Sequence, residues 1–466
     1  GFQENTDAFY AAADAFVFAS TAEGFPNVYV EAMAHARPII TRFLPGLTDF
    51  IVDHGRSGFL AHEPAQFVEA VEALRDTPGL AARMGAASRR FAERNLDLDR
   101  IAGAYAALYR APAGPSPDAS AAFPDLRPRF TRDLAGGPAT IGLEEFDTPA
   151  DWPPVLQVVI DTEAAFEWDK GTYTDTGKVA PTRGLQVNLD VFRRYGVLPC
   201  LVVDTPVASQ EESAGIIRGL AAEGCEIGVH LHPWSAPPVV EPKDDWHSFS
   251  GNLGPWLERT KLAALTRQVT ALLGHRPRIF KAGRYGLSAD TIEILEELGF
   301  EIDLSVCPFY DYGAMGGPDF SRFTARPGWL GRNRRILSLP TTAGPIGWLA
   351  GRAALIGRVA RSPLGRIVPV SRLAARVNAV YPLRLSPEGS SLSQMRELTR
   401  RQLRQGLRVF TLTLHSPTLM PGNTPYTRTE ADLAALLGTI DRYLAFFRDE
   451  LGGSFTTPSA LHARLA

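Results

Sequence analysis

Residues 158–168, VVIDTEAAFEW, and residues 226–234, EIGVHLHPW, are two apolar runs that end in clusters of ionisable side chains. Each run predicts a buried strand, in which side chains two positions apart point to the same face. The two histidines of the second run therefore leave one face of their strand together, and the aspartate and glutamate of the first run have the same spacing. Two imidazoles and one carboxylate form the protein ligand set of a catalytic zinc-type site, so these runs predict metal-assisted hydrolysis.

A third apolar run, VFTLTLHSP at 409–417, ends in His415 in the same manner. Runs of this kind are typical of a parallel α/β barrel, whose active sites collect at the carboxyl ends of the strands. A single histidine on a strand is more often a half-buried structural residue than a metal ligand. Burying so many ionisable groups without a metal or a charged partner costs free energy, however, so the three runs together favour a metal site.

Residues 151–466 resemble the polysaccharide deacetylase superfamily, the carbohydrate esterases of the fourth family, through four motifs. The motifs are Asp161-Thr162-Glu163, Glu-Ile-Gly-Val-His-Leu-His-Pro-Trp at 226–234, Ala-Gly-Arg-Tyr-Gly at 282–286 and Leu-His-Ser-Pro at 414–417. The resemblance implies a distorted (β/α) barrel that removes acetyl groups from N-acetylated sugars. It also implies a divalent metal cofactor, with zinc as the first candidate, and a carbohydrate substrate.

Carried over residue by residue, the resemblance assigns the role of catalytic base to Asp161 and that of general acid to His415. Glu163, His230 and His232 become the metal ligands. The ion would lower the pKa of water to about 7 and polarise the acetyl carbonyl. The base would take the proton of the attacking water, and the acid would protonate the departing amine.

Two positions depart from the family pattern. The second histidine ligand is expected four residues after the first, where this chain has Trp234, so His232 is assigned instead. The arginine that orients the base is replaced by Lys281, which keeps the charge but lacks the planar guanidinium, and Arg284 is the alternative cation. Asp303 stands where the fourth motif has an acidic residue. Two alternatives stay open, a non-catalytic carbohydrate-binding or scaffolding barrel and the hydrolysis of a different amide or ester.

The first 110 residues carry a different pattern. AFVFAS at 15–20 and RPIITRF at 37–43 predict strands, and VYVEAMAHA at 28–36 between them predicts a helix. Strands that alternate with helices indicate part of a doubly wound, Rossmann-like sheet.

The segment EGFPNVYVEAMA at 23–34 resembles the nucleotide-sugar half of retaining glycosyltransferases with two Rossmann domains. The E-x7-E motif of that family matches Glu23 and Glu31. The resemblance implies that Glu23 contacts the donor sugar, that Glu31 contacts the ribose hydroxyls, and that amides around Gly24 and Phe25 lie near the diphosphate. The acceptor domain and the first strands of the donor domain have no counterpart in the sequence, so residues 1–110 are predicted to be a partial glycosyltransferase domain.

Two further stretches are recognised by composition. Residues 111–150 are rich in Pro, Ala, Gly and Ser and are predicted to be a linker before the barrel at 151–466. Residues 345–404 hold eleven arginines and only two acidic residues, Glu388 and Glu397. This Arg-rich region is predicted to be a helical insertion with a solvated basic face, with contact to an anionic membrane or a lipid-linked glycan as the alternative.

The overall composition, with 45% hydrophobic and 21% charged residues, is that of an ordinary globular protein. A formal net charge of -3 gives no reason to expect nucleic acid as a partner. Cys200, Cys225 and Cys307 are scattered beside apolar runs, which predicts buried thiols of a reducing compartment. Together with nucleotide-sugar chemistry, these features predict a cytoplasmic protein of glycan assembly, at most peripheral to the inner face of the membrane.

Overall fold

The structure is a computed structural model that divides into two compact units. The first comprises Gly1–Arg129 with Leu253–Leu257, and the second comprises Phe130–Asn252 with Glu258–Ala466. The residues that it describes are 5–21, 23, 26–44, 47–61, 63–98, 102, 134, 136–166, 175–331, 335–350 and 380–465. Of the predicted linker at 111–150, only 134 and 136–150 fall among them, and the most basic part of the Arg-rich region, 351–379, lies outside them.

The first unit contains a three-stranded parallel sheet, in the order β1 (Phe16–Phe18), β2 (Ile39–Arg42) and β3 (Gly58–Ala61). Parallel neighbours need crossover connections, and a helix joins β1 to β2 as the sequence predicts. The helices of this unit are Asp7–Ala12, Asn27–Ala34, Thr48–Ile51, Pro64–Asp76 and Leu80–Asn95. The predicted Rossmann-like arrangement of strands and helices is confirmed.

The second unit is larger and also mixes strands with helices. Its strands are β4 (Glu144–Glu145), β5 (Val155–Thr162), β6 (Ala165–Phe166), β7 (Asp175–Lys178), β8 (Cys200–Val203), β9 (Glu226–Leu231), β10 (Ile279–Ala282), β11 (Ile302–Asp303), β12 (Gly328–Leu330), β13 (Ile336–Ser338), β14 (Ala343–Ile346), β15 (Tyr381–Arg384), β16 (Val409–His415) and β17 (Ser454–Phe455). Its helices are Arg183–Asn188, Asp190–Arg193, Thr205–Ser209, Glu211–Ala222, Pro255–Leu273, Ala289–Glu297, Leu392–Arg404, Glu430–Ala445 and Pro458–Leu465. Short 3-10 or π turns lie at Pro138–Ile141, Ala180–Thr182, Ser250–Asn252, Gly283–Tyr285, Gly313–Met315, Ser416–Leu419 and Phe446–Glu450.

Eight strands of the main sheet run parallel: seven in the order β16-β5-β8-β9-β10-β11-β13, and β17, which also pairs with β5. β12 and β4 extend it in antiparallel fashion beyond β13. All eight residues of β5 are buried, which is expected of a parallel strand covered on both faces. This arrangement confirms the α/β fold that the apolar runs predict.

The segment that follows β13 connects the two ends of the parallel array. The backbone N–H of Thr341 donates to the carbonyl of Val306 (3.0 Å), and that of Thr342 donates to the carbonyl of Thr411 on β16 (3.2 Å). The hydroxyl of Thr342 in turn accepts the N–H of Thr411 at 2.8 Å. The array is therefore closed by a few irregular hydrogen bonds rather than by a full strand pair, as expected for the predicted distorted barrel.

The three cysteines are buried free thiols, as predicted. Among the helices in the described ranges, none combines the length and the apolar character that a membrane span requires.

Candidate metal centre

Strand register brings the ionisable residues of separate runs to one rim of the barrel. His415 is the register partner of Asp161 on the adjacent strands β16 and β5. His230 is the partner of Lys281 on β9 and β10, and only β8 separates β5 from β9. Because these strands are parallel, their carboxyl ends lie on the same side, and residues more than 250 positions apart in sequence become neighbours.

The three predicted metal ligands form one buried cluster. Nε2 of His230 lies 3.5 Å from Oε2 of Glu163, and Nε2 of His232 lies 3.3 Å from the same oxygen. A tetrahedral ion with bonds of about 2.0–2.1 Å holds its ligand atoms roughly 3.4 Å apart. The spacing of these three side chains therefore fits a zinc-type ion, and among the described residues they are the group that could hold one.

Both histidines of the cluster have their Nε2 atoms toward the carboxylate of Glu163. Nδ1 of His230 lies 3.0 Å from the carbonyl oxygen of Lys281, and Nδ1 of His232 lies 3.9 Å from Oδ2 of Asp204. Metal-binding histidines are commonly oriented by a hydrogen bond to the ring nitrogen that does not bind the ion, as for His230, whereas the contact between His232 and Asp204 is too long for a hydrogen bond. Burial lowers the pKa of His232 well below its ordinary value, which keeps the ring neutral. Oε1 of Glu163 is buried without a hydrogen-bond partner, so the carboxylate retains an unused acceptor for an ion.

Two residues around His232 explain its position. The indole of Trp234 stacks on the imidazole, with ring centroids 4.4 Å apart and an interplanar angle of 17°. Trp234, at the position where the sequence resemblance leads one to expect a ligand, thus packs against the imidazole of His232. Gly283 also lies against this ring, where a Cβ atom would collide with the imidazole and with the carbonyl of Leu231.

Asp161 is held by an ammonium group. Nζ of Lys281 donates to both carboxylate oxygens, at 2.6 and 2.7 Å, and to the hydroxyl of Thr413 at 3.2 Å. Burial by itself would raise the pKa of Asp161, but Lys281, His230 and His415 outweigh it and lower that pKa below the usual value. Asp161 is therefore ionised and has a fixed orientation.

Arg284, the alternative cation, takes a different position. Its guanidinium donates to the hydroxyl of Ser248, lies 3.4 Å from Oδ1 of Asp245 and packs over the ring of Phe249 at 4.4 Å. The cation on Asp161 is thus Lys281.

His415 has a carboxylate partner that the sequence did not reveal. Oε2 of Glu388 lies 2.8 Å from Nδ1 of His415, while Oε1 accepts the backbone N–H of His415 (2.9 Å) and the hydroxyl of Thr418 (2.6 Å). Nε2 of His415 lies 3.8 Å from Oδ2 of Asp161, the predicted base. Burial disfavours the imidazolium, but Glu388 and Glu163 more than compensate and raise the pKa of His415 to about 9.

Replacing Glu388 by glutamine is expected to move the basic limb of the pH–rate profile. A proton donor with a raised pKa stays protonated until the pH rises through that value, so kcat/KM of the wild type should fall near pH 9. Without the carboxylate, the limb should move down by about 1–2 pH units. The matched control is Glu397→Gln, the exposed acidic residue of the same region. An unchanged limb in Glu388→Gln would show that His415 is not the titrating donor.

Two other buried aspartates lie at the carboxyl ends of parallel strands, Asp303 at the end of β11 and Asp204 directly after β8. Asp303 lies on β11, accepts the N–H of Ser305 at 3.1 Å, and has its pKa raised to about 6 by burial. It is not a member of the ligand cluster. Asp204, which the sequence analysis missed, caps a helix by accepting the N–H of Val207 (3.0 Å) and has its pKa raised to about 7 by burial. Its signal was available, since Asp204 follows the apolar strand β8 as Asp161 ends β5.

A buried lysine holds the loop that follows the ligand strand. Nζ of Lys261 donates to the carbonyls of Pro233 (2.9 Å), Ala236 (2.7 Å) and Pro238 (2.5 Å), and it lies 3.0 Å from Oε2 of Glu241. Four acceptors around one ammonium fix the chain directly after His232.

Replacing Lys261 by methionine is expected to lower the free energy of unfolding by about 2–3 kcal/mol, because a buried carboxylate and three carbonyls lose their donor. The exposed Lys243, in the same loop, provides the control variant Lys243→Met. Chemical denaturation of both variants beside the wild type measures the effect. Equal stability of the two variants would contradict the role given to Lys261.

The predicted nucleotide-sugar residues lie in the first unit. Glu31 lies on helix Asn27–Ala34 and accepts a hydrogen bond from the hydroxyl of Tyr10 at 2.9 Å. Glu23 is exposed. Gly24 and Phe25 lie outside the described residues, so a donor site at these four positions remains a prediction.

Comparison with known proteins separates the two parts of the chain. Residues 1–77 match the family model of group 1 glycosyl transferases, which confirms the likeness predicted for the N-terminal part. D-inositol 3-phosphate glycosyltransferase of Streptomyces scabiei is 38% identical over 111 residues, which are 23% of this chain and 24% of the relative. Spore coat protein SA of Bacillus subtilis is 33% identical over 104 residues, which are 22% and 27% of the two chains. The chain thus spans about a quarter of the length of the curated relatives it matches.

Solved structures are similar to the larger part of the chain. A protein of Mycobacterium smegmatis assigned to the polysaccharide deacetylases is 16% identical, with a TM-score of 0.41, over 69% of this chain and 94% of its own. Peptidoglycan deacetylase PdaC of Bacillus subtilis is 12% identical, with a TM-score of 0.31, over 68% of this chain and 93% of its own.

Proposed function

We propose that the second unit is a metal-dependent hydrolase that removes acetyl groups from N-acetylated sugars. The observation that carries this function is the convergence, on one barrel rim, of the ligand cluster Glu163, His230 and His232 with the Asp161–Lys281 pair and with His415. Hydrolysis of an amide needs an activated water, a base and a proton donor, and these groups supply each of them.

The metal ligands, Asp161 and His415 have separate roles in the proposed reaction. A divalent ion, when bound by the three ligands, would lower the pKa of water and polarise the acetyl carbonyl. Asp161 accepts the proton of the attacking water, because its carboxylate is ionised and is held at a fixed orientation by Lys281. His415 donates a proton to the departing nitrogen from Nε2, while its Nδ1–H is held by Glu388. One amide and one water thereby give acetate and a free amine.

The purified chain, loaded with metal, tests this function on N-acetylhexosamine oligomers. Acetate is measured by an enzyme-coupled assay and the free amine by mass spectrometry of the same sample, so that both products are accounted for. O-acetylated oligomers of the same sugars test whether the chain hydrolyses esters. Acetate without amine would assign the site to esters, and neither product would favour a barrel that binds carbohydrate without turning it over.

We further propose that the first unit contributes to a nucleotide-sugar site through Glu23, Gly24, Phe25 and Glu31. The match of residues 1–77 to group 1 glycosyl transferases supports this role. Joined in one chain, the two units would act in glycan assembly on the cytoplasmic side, where nucleotide sugars are made, and a product of one would reach the other at high effective concentration. Calorimetric titration of the full chain with nucleotide diphosphate sugars tests the site, and Glu31→Gln is expected to weaken binding.

A further inference from the structure

A guanidinium group lies beside the candidate metal centre, at the end of β15. The carbonyl of Leu385, the residue after Arg384, accepts the backbone N–H of Thr413 on β16 at 3.0 Å. Thr413 is the same residue whose hydroxyl accepts a hydrogen bond from Lys281. Tyr285, with its ring 5.2 Å from Nζ of Lys281, accepts a hydrogen bond from Nη1 of Arg384 at 3.0 Å. Arg384 is thus one side chain away from the Asp161–Lys281 pair.

Aromatic rings hold the guanidinium in place. Its central carbon lies 5.6 Å from the ring centroid of Tyr285 and 5.1 Å from that of Tyr310. Tyr312 stacks on both tyrosines, at 5.7 and 6.2 Å between centroids, and so fixes the two rings relative to each other. A guanidinium held against aromatic faces keeps its planar edge in one orientation, which reduces the entropy lost when that edge binds a ligand.

The positive charge of Arg384 has no carboxylate partner among the described residues. The salt bridges of that part of the chain pair Lys281 with Asp161 and Arg284 with Asp245, but they include none to Arg384. Residues 351–379, which precede β15, contain six arginines and no acidic residue. Arg384 also donates to the side chains of Tyr310 and Cys307, and the residue is partly rather than fully buried, so its side chain retains some contact with solvent.

We propose that Arg384, framed by Tyr285 and Tyr310, is a subsite for an anionic group of the sugar substrate, a carboxylate or a phosphate. A planar carboxylate and a tetrahedral phosphate each present a pair of oxygens that a guanidinium binds through two parallel hydrogen bonds. The anion would lie on the substrate next to the acetylated nitrogen, because Arg384 is linked through Tyr285 and Lys281 to the predicted base. This subsite, which rests on the proposed deacetylase function, makes acidic or phosphorylated glycans the substrate class.

Equilibrium binding to the full chain tests the subsite independently of catalysis. Calorimetry compares three N-acetylhexosamine oligomers of equal length: a neutral one, one that alternates with hexuronate, and one that carries a phosphate ester. The wild type is expected to bind one of the anionic oligomers about 10–100-fold more tightly than the neutral one, since charge-assisted hydrogen bonds have that strength. The oligomer that shows the preference identifies the source of the anion.

Two variants connect the preference to the guanidinium. Arg384→Gln should bring the ratio of affinities for anionic and neutral oligomers close to one, and Arg384→Lys should keep only part of it because an ammonium lacks the planar edge. Arg404→Gln, at an exposed arginine of the neighbouring helix Leu392–Arg404, is the control and should retain the wild-type ratio. Thermal unfolding and metal content of each variant verify that it is folded.

The results distinguish the subsite from the function on which it rests. A wild-type preference that Arg384→Gln abolishes supports the subsite even if no oligomer releases acetate, in which case the deacetylase function fails alone. Equal wild-type affinity for all three oligomers, or no measurable binding of the anionic ones, overturns the subsite. A preference that survives in Arg384→Gln overturns it as well.

Discussion

Replacing Lys281 by methionine is expected to lower the free energy of unfolding by about 3–5 kcal/mol, the usual cost of removing one partner of a buried ion pair. The side chains of Lys281 and Asp161 are only 1% and 5% exposed, so water cannot take the place of the lost ammonium. Methionine has a similar length and an apolar character, and it leaves the packing of the stem nearly intact. The effect would therefore arise from the unpaired carboxylate.

The double variant Asp161→Asn/Lys281→Met distinguishes that cause from a packing defect. Removing both charges together leaves no unpaired ion, so the double variant should be more stable than Lys281→Met alone. Lys243→Met serves as the exposed control. Urea denaturation of the four chains, all metal-free, gives the comparison. If the double variant is as unstable as Lys281→Met, the ion pair is not what Lys281 contributes.

The second large effect concerns catalysis. Asp161→Asn is expected to lower kcat/KM for acetate release by about 10²–10⁴-fold, because an amide cannot accept the proton of the attacking water. Metal content should stay at the wild-type level, since Asp161 is not in the cluster of Glu163, His230 and His232. Metal analysis and steady-state kinetics on the same preparations measure both quantities.

Measuring activity and metal content together distinguishes a base at Asp161 from a metal ligand at Asp161. Loss of activity together with loss of metal would make Asp161 a ligand and not the base. Full activity in Asp161→Asn would assign the base to another group at the rim, such as the buried Asp204, which lies 3.9 Å from His232.

The candidate ligands His230 and His232 could be proposed from the sequence because their geometry is local. His230 and His232 are two positions apart on one strand, and alternation along the strand places both on one face whatever the rest of the fold does. The parallel barrel was predictable because several apolar runs in the sequence end in polar or ionisable residues. Trp234 could be excluded as a ligand by chemistry alone, but its stacking on His232 depends on the turn after β9.

The residues that the sequence did not reveal owe their positions to distant contacts. Glu388 contacts His415, which is 27 positions later in the sequence. Glu388 itself lies in the region that could be described from composition only as Arg-rich. One signal was present, because Glu388 is one of two acidic residues among eleven arginines. The choice between Lys281 and Arg284 was likewise settled by register: Lys281 lies on β10 beside His230, whereas Arg284 lies beyond the end of that strand.

Metal titration of the full chain tests the central claim most directly. The chain is stripped with a chelator, Zn²⁺ is added stepwise, and acetate release from an N-acetylhexosamine oligomer that the metal-loaded chain binds is followed. We expect the rate to rise up to about one equivalent of ion per chain and then to remain level, as for a single three-ligand site. The variant His230→Ala/His232→Ala should show no rise. Acetate release that persists at the full rate in the stripped chain, or an equal response in the double variant, would contradict a metal-dependent hydrolase at this rim.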